Sequence, residues 1–232
     1  MGPPQFASQN EAAGGKICVH MVINEIFYSL QGEGLLAGVP SVFIRLAGCP
    51  LSCEWCDTKY ARDPNAGDDL SVSQIIESIQ QWQCRHVVIT GGEPMINDQL
   101  PQLAEALKQK DRHITIETSG IAFIDDLACD LMSISPKTKK GAGPFSIVTR
   151  LIKRYPYQLK FVVDSADDLP EIQKVIALLR DVDLSKVMLM PQARTRDELI
   201  AKAPLVARLC KQSGLLFCNR LQIFLYSDAK GV

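Results

Sequence analysis

Cys49, Cys53 and Cys56 crowd three of the chain's eight cysteines into the run Cys49-Pro-Leu-Ser-Cys-Glu-Trp-Cys56. The spacing C-x3-C-x2-C lets one tight loop turn three sulfurs towards a common centre as soft thiolate ligands. A fourth ligand is missing. Cys18, Cys84, Cys129, Cys210 and Cys218 are scattered singly, and no second C-x2-C closes a zinc ribbon or a four-cysteine cluster. Three thiolates on a four-iron cluster would leave one iron open to a small molecule, which a purely structural site does not need. Spacing alone also admits a structural zinc site completed by His20, His86 or His113, or three reduced cysteines packed as small hydrophobes.

The elements that position this loop are legible on either side of it. The strand-like run Ser41 to Ala47 leads into it and carries Arg45 as its lone charge. A guanidinium in such a run is either a buried ion-pair partner or a receptor for a carboxylate. Before it, Ile23 to Leu30 reads as a strand running into the glycine-punctuated loop Gln31-Gly-Glu-Gly34. After it, residues 62–70 read as a polar surface loop, and Ser71 caps a helix whose Val72, Ile75, Ile76, Ile79 and Trp82 form an apolar stripe.

Strands and helices then alternate. His86 to Thr90 ends in Gly91-Gly-Glu-Pro94, His113 to Glu117 in Thr118-Ser-Gly120, Leu131 to Ser135 in Pro136-Lys137, and Lys186 to Met190 in Pro191-Gln192. Helical patterns fall around Leu100–Leu107, Ser146–Arg154, Asp167–Arg180 and Thr195–Gln212, with Pro204 a point where the last would kink or break. A further strand, Gln158 to Val163, and a final strand region, Leu215 to Phe224, complete the series. Parallel neighbours need crossover connections, so about six such units predict an α/β fold with an open, partial βα barrel. The polar and glycine-bearing tails sit at the carboxyl ends of the strands, where ligands bind in such folds.

Composition narrows the partners. A chain of 232 residues, 47% apolar, holds one well-buried domain, predicted over residues 22–232 behind a flexible lead-in at 1–21. A net charge of −1 gives no footprint for direct nucleic-acid binding, and no apolar run is long enough to span a membrane. Without a secretory leader the cysteines read as reduced and the protein as cytoplasmic.

The cysteine loop with an aromatic residue, Trp55, before its last cysteine, followed one strand later by GGEP, resembles the radical S-adenosylmethionine (SAM) superfamily. Asn24-Glu-Ile-Phe-Tyr-Ser-Leu-Gln-Gly-Glu-Gly34, Phe43-Ile-Arg-Leu46, Cys56-Asp-Thr58, Val88-Ile-Thr-Gly-Gly-Glu-Pro94, Ile116-Glu-Thr-Ser-Gly120 and Ser135-Pro-Lys137 together resemble its 7-carboxy-7-deazaguanine synthase family. The resemblance implies that Cys49, Cys53 and Cys56 hold a 4Fe-4S cluster and that Thr58 offers its hydroxyl to Mg2+. Gly92, Glu93, Ser135, Pro136, Lys137, Met190, Pro191, Gln192 and Ala193 fall on SAM-contacting positions, Glu93 facing the ammonium of the methionine moiety. Leu30, Gln31, Gly32, Glu33, Arg45 and Thr90 fall on positions around a pterin substrate, 6-carboxy-5,6,7,8-tetrahydropterin.

The implied reaction is a radical ring contraction with loss of ammonia, feeding queuosine and other 7-deazapurines, with SAM regenerated. A reductase or flavodoxin-type protein would supply the electron, and the resemblance favours a homodimer. Two departures stand out: Met190-Pro191-Gln192 where the family often carries Gln-Pro, and Phe224 where a histidine is common, which puts substrate contacts from the tail in question. The other readings are a glycyl-radical activating enzyme, which the LQGEG and CDT stretches disfavour, and a zinc or iron-sulfur module without catalysis, which leaves GGEP, SPK and Arg45 unexplained.

Overall fold

The computed structural model describes residues 20–138 and 144–232. The expected lead-in lies outside the described residues up to position 19, while His20 and Met21 already belong to the first strand. Among the described residues one sheet holds nine strands: β1 (His20–Leu30), β2 (Pro40–Leu46), β3 (Asp68–Ser71), β4 (His86–Gly91), β5 (His113–Thr118), β6 (Leu131–Ile134), β7 (Tyr157–Val163), β8 (Val187–Pro191) and β9 (Leu216–Phe217). Their spatial order is β3-β1-β2-β4-β5-β6-β7-β8-β9. From β2 through β9 neighbours are parallel, whereas β1 runs antiparallel to both β2 and β3. The two edges do not pair with each other, so the sheet is a partial barrel, as expected, with its ends left open.

Among the described residues six α-helices connect or follow the strands: α1 (Val72–Ile79), α2 (Leu100–Lys108), α3 (Phe145–Arg154), α4 (Asp168–Leu178), α5 (Arg196–Ser213) and α6 (Leu221–Tyr226). Ser71 caps α1 in a capping box with Gln74, and Ile75, Ile76 and Ile79 are its buried face. Each such side chain contributes about 1.5–3 kcal/mol by leaving water.

Three expectations from the sequence are corrected. Residues 68–70 do not belong to the surface loop expected at 62–70; with the capping residue Ser71 they pair with β1, Val22 opposite Asp69, as an edge strand. An outermost strand needs little apolar surface, which is why its polar sequence hides it. Pro204 does not interrupt α5, which runs unbroken to Ser213. It lies on the exposed side of the helix, where water can satisfy the carbonyl its missing N–H leaves free. The region 215–224 is not one strand: only Leu216 and Phe217 pair with β8, and Leu221 begins a helix.

The parallel strands have two chemically distinct faces. Val42, Ile44 and Leu46 of β2, Val87 and Ile89 of β4, Ile114 and Ile116 of β5, Met132 and Ile134 of β6, Leu159, Phe161 and Val163 of β7, and Val187 and Leu189 of β8 belong to one aliphatic core under the helices. The alternate residues, including Arg45, Thr90, Glu117, Ser133 and Lys160, face the concave side. Strands of a parallel sheet are ordinarily apolar on both faces. A polar inner face therefore marks a ligand cavity. Among the described residues, no helix is long and apolar enough to cross a membrane.

Candidate active site

The concave face encloses a cavity of about 580 Å³ whose lining runs from the cysteine loop to the turn that follows β1, a size suited to small molecules. The floor is built by that turn. Gly38 N donates to Gln31 O (2.7 Å) and Gln31 N to Val39 O (2.8 Å), folding residues 31–39 back on themselves. The turn is pinned to β7, where Leu35 N donates to Gln158 Oε1 (2.7 Å) and Gln158 Nε2 to Ser133 Oγ (2.8 Å). Gly34 has φ +76°, and a Cβ there would lie 2.2 Å from the Gln158 amide, so both its backbone and its packing require glycine.

Buried charge is concentrated on this floor. Lys160 Nζ lies 2.8 Å from Glu33 Oε2 and 3.4 Å from Glu117 Oε1. Glu33 also accepts from Arg220 Nε (3.1 Å) and Gln222 Nε2 (2.9 Å). Burial alone would raise the Glu33 carboxyl, but the charges of Lys160 and Arg220 and the donors around it hold it well below the ordinary carboxylate range. Burial would likewise discharge Lys160, and Glu117 and Glu33 reverse that, keeping the ammonium charged. Thr90 Oγ1 donates to Glu117 Oε2 (2.8 Å), and Gln31 Nε2 reaches Glu117 Oε1 at 3.4 Å.

Arg45 takes the first of its two sequence alternatives, the buried ion pair, and also borders the cavity. Its Nε pairs with Glu25 Oε1 (2.6 Å) on the antiparallel neighbour, while the residue lines the cavity. Tyr60 Oη donates to the same Glu25 oxygen (2.9 Å), and burial together with that carboxylate pushes its phenol up to about 12 against the opposing Arg45 charge. Phe27 and Tyr60 rings flank the guanidinium at 5.7 and 5.9 Å.

At the mouth, the cysteine loop packs against the turn after β4. Gly92 N donates to Leu46 O and Glu93 N to Gly48 O, both 2.9 Å. A Cβ on Gly92 would fall 1.9 Å from Gly48 O. Glu93 is buried and spent on internal contacts: it accepts from Thr118 Oγ1 (2.6 Å), Ser119 N (2.8 Å), Ser119 Oγ and Met95 N (3.2 Å). Its carboxylate thus ties the turn after β5 to the turn after β4.

Of the residues singled out from the sequence, Leu30, Gln31, Gly32, Glu33, Arg45 and Thr90 all line the cavity, and so do Cys49, Cys53, Cys56 and Thr58. Gly92, Ser135, Lys137, Met190 and Gln192 join them, whereas Glu93, Pro136, Pro191 and Ala193 lie behind the lining. Phe224 is exposed and packs on Arg196 (5.6 Å), so the tail reaches the cavity instead through Arg220, Gln222 and residues 227–232. Sequence reasoning passed over Lys160, Glu117, Glu25, Tyr60 and Arg220. Lys160 carries the same signal as Arg45, a lone charge in an apolar strand, and Glu117 closes such a run. Arg220 carries none.

Comparison with known proteins decides the family. The chain is 37% identical over 230 residues to a 7-carboxy-7-deazaguanine synthase of Rhodopirellula baltica, covering 91% of this chain and 88% of that protein. The chain belongs to the 7-carboxy-7-deazaguanine synthase family. A second family member, from Halobacterium salinarum, is 35% identical over 98% of both chains. The crystal structure of QueE from Escherichia coli aligns with a TM-score of 0.69 at 29% identity, over 86% of this chain and 93% of that one. The Radical SAM superfamily model matches residues 43–138, from β2 to just past Ser135-Pro-Lys137.

The residues fit the cofactors this family membership implies. Cys49, Cys53 and Cys56 are free thiols, half-buried and lining one cavity. Burial pushes the Cys49 thiol up against a backbone hydrogen bond at Leu51, and Glu93, Cys53 and Cys56 add to the rise, so a metal centre held there would have to displace a proton. Among the described residues no three His, Cys, Asp or Glu side chains stand ready-grouped around a metal ion. The histidines of the zinc alternative are elsewhere. His20 lies 3.4 Å from Asp69, and His86 and His113 sit with tilted rings 4.6 Å apart where β4 and β5 begin, away from the loop that follows the end of β2.

Proposed function

We propose that this chain performs the reaction of its family, the radical ring contraction of 6-carboxy-5,6,7,8-tetrahydropterin to 7-carboxy-7-deazaguanine with loss of ammonia, in queuosine and 7-deazapurine biosynthesis. The observation that carries the reading is one cavity with a three-cysteine loop at its mouth and a buried hydrogen-bonding floor beneath it. Cys49, Cys53 and Cys56 would hold the 4Fe-4S cluster, Thr58 would ligate Mg2+, and Gly92, Ser135, Lys137, Met190 and Gln192 would surround SAM. Glu93, Pro136, Pro191 and Ala193 would support that site from behind. When bound, the cluster and SAM supply hydrogen-atom abstraction, and Mg2+ supplies positive charge at the substrate carboxylate.

The protein's own residues do the rest by orientation. Arg45 has its Nε committed to Glu25 and borders the cavity, where the rest of its planar fork would suit a carboxylate. Glu33, held ionised by Lys160 and Arg220, and Glu117 beside it would accept from ring N–H donors, while Gln31 and Thr90 contribute further polar contacts and Leu30 and Gly32 shape the wall. A floor of fixed charges costs little reorganisation during reaction and excludes bulk water. The same reading includes an external one-electron donor of reductase or flavodoxin type, a homodimer and a cytoplasmic setting, with no contact to tRNA itself.

Anaerobically reconstituted protein given reductant, SAM, Mg2+ and the carboxytetrahydropterin is expected to form the deazaguanine, identified by chromatography and mass. Fully loaded protein that makes no product would sink the reaction and leave only the family membership.

A further inference from the structure

Arg220 stands just before α6, near the end of the chain, yet its guanidinium reaches three separate segments. Nε donates to Glu33 on the cavity floor (3.1 Å), Nη1 to the carbonyl of Ala193 after β8, and Nη2 to Asp57 in the cysteine loop. The side chain is only 7% exposed, so its charge is held by these partners and is costly without them. Asp57 lies between Cys56 and Thr58 and is 44% exposed, so its own surroundings hold it loosely. Backbone hydrogen bonds hold the start of the loop at Gly48 and Cys49, and one rigid, buried fork ties its Asp57 end to the cavity floor. The sheet offers no substitute, because its two edges are not hydrogen-bonded to each other. Across this gap Leu221 N also donates to Gly32 O (2.9 Å), seating the tail on the turn that carries Glu33.

We propose that Arg220 is a positioning residue that holds the cysteine loop in fixed relation to the substrate floor, doing at the open side of the partial barrel what strand pairing does elsewhere. The inference rests on the proposed reaction: turnover by the unmutated protein tests that reading, and only the variants test this one.

Arg220→Gln, Arg220→Lys and Asp57→Asn are each compared with the unmutated protein as reconstituted holoenzyme, by kcat, KM, SAM consumed per product formed, and amide hydrogen exchange over residues 53–60. We expect kcat to fall by about 10²-fold in Arg220→Gln, the scale of a 1 Å misplacement of reacting groups. KM should stay near its original value, SAM consumption per product should rise, and exchange in the loop should quicken. Arg220→Lys should not rescue, since a point charge cannot span three acceptors. Unmutated kcat in Arg220→Gln, a raised KM alone, or unchanged loop exchange would overturn the proposal. Should Arg220→Gln fail to fold, Asp57→Asn decides, because it leaves the buried contacts in place: an unchanged SAM-to-product ratio there overturns it equally.

Discussion

Lys160 has the least freedom of any charged side chain on the cavity floor, being 4% exposed and set between Glu33 at 2.8 Å and Glu117 at 3.4 Å. Two carboxylates facing one cavity would repel each other, and the ammonium between them offsets that repulsion. A buried ion pair of this kind is weak support for stability in itself, yet removing one partner is costly because the other is stranded. Lys160→Met keeps the volume and deletes the charge, and it should lower the unfolding free energy by about 3–5 kcal/mol, read as a lower urea midpoint at unchanged slope. Adding Glu33→Gln should recover part of the loss. A Lys160→Met protein as stable as the parent would show that Arg220 and Gln222 suffice for Glu33, and Thr90 and Gln31 for Glu117.

The turn after β4 works with the cysteine loop as one structural piece, because Gly92 N and Glu93 N donate to Leu46 O and Gly48 O and Glu93 anchors the turn after β5. Gly92→Ala would push a Cβ to 1.9 Å from Gly48 O, backbone against backbone, so the cysteine loop must shift. The cost should be about 1–3 kcal/mol, as for other overpacked sites, with fewer irons bound per chain after reconstitution. Normal iron loading would separate the turn from the loop. These elements were legible in the sequence because their residue types are demanding: three cysteines at fixed spacing, a GGEP turn, an arginine alone in a strand. Elements whose surroundings demand little were not. β3 is an edge strand with a polar sequence, α5 tolerates Pro204 because that side is exposed, and β9 is only two residues long before the chain turns inward. Arg220, Glu25 and Tyr60 escaped notice for a different reason, since their roles exist only through partners distant in sequence, 187 residues away in the case of Glu33 and Arg220.

Across the whole molecule the two ends of the strands divide labour: the carboxyl end and the concave face carry the site, and the amino end carries packing. His86 and His113 open β4 and β5 side by side, rings 4.6 Å apart and tilted by 40°, and both Nδ1 atoms are buried without a hydrogen-bond partner. Burial, the neighbouring His113 and Arg85 push the His86 imidazole below its ordinary value of 6.5, outweighing the opposite pull of Asp130. A depressed value means that the fold favours the neutral ring. The stability this contributes is present above pH 6.5 and is lost as pH falls through the lower folded value. His86→Gln removes the titration without adding bulk, so the melting temperature of the variant should fall less than that of the parent between neutral and mildly acidic pH. Because six-residue strands put about 20 Å between their two ends, product formation at neutral pH should be unaffected. Parallel melting curves for the two proteins across that range would remove the pair as an acid-sensitive element, and a loss of turnover at neutral pH would contradict the division between the two ends.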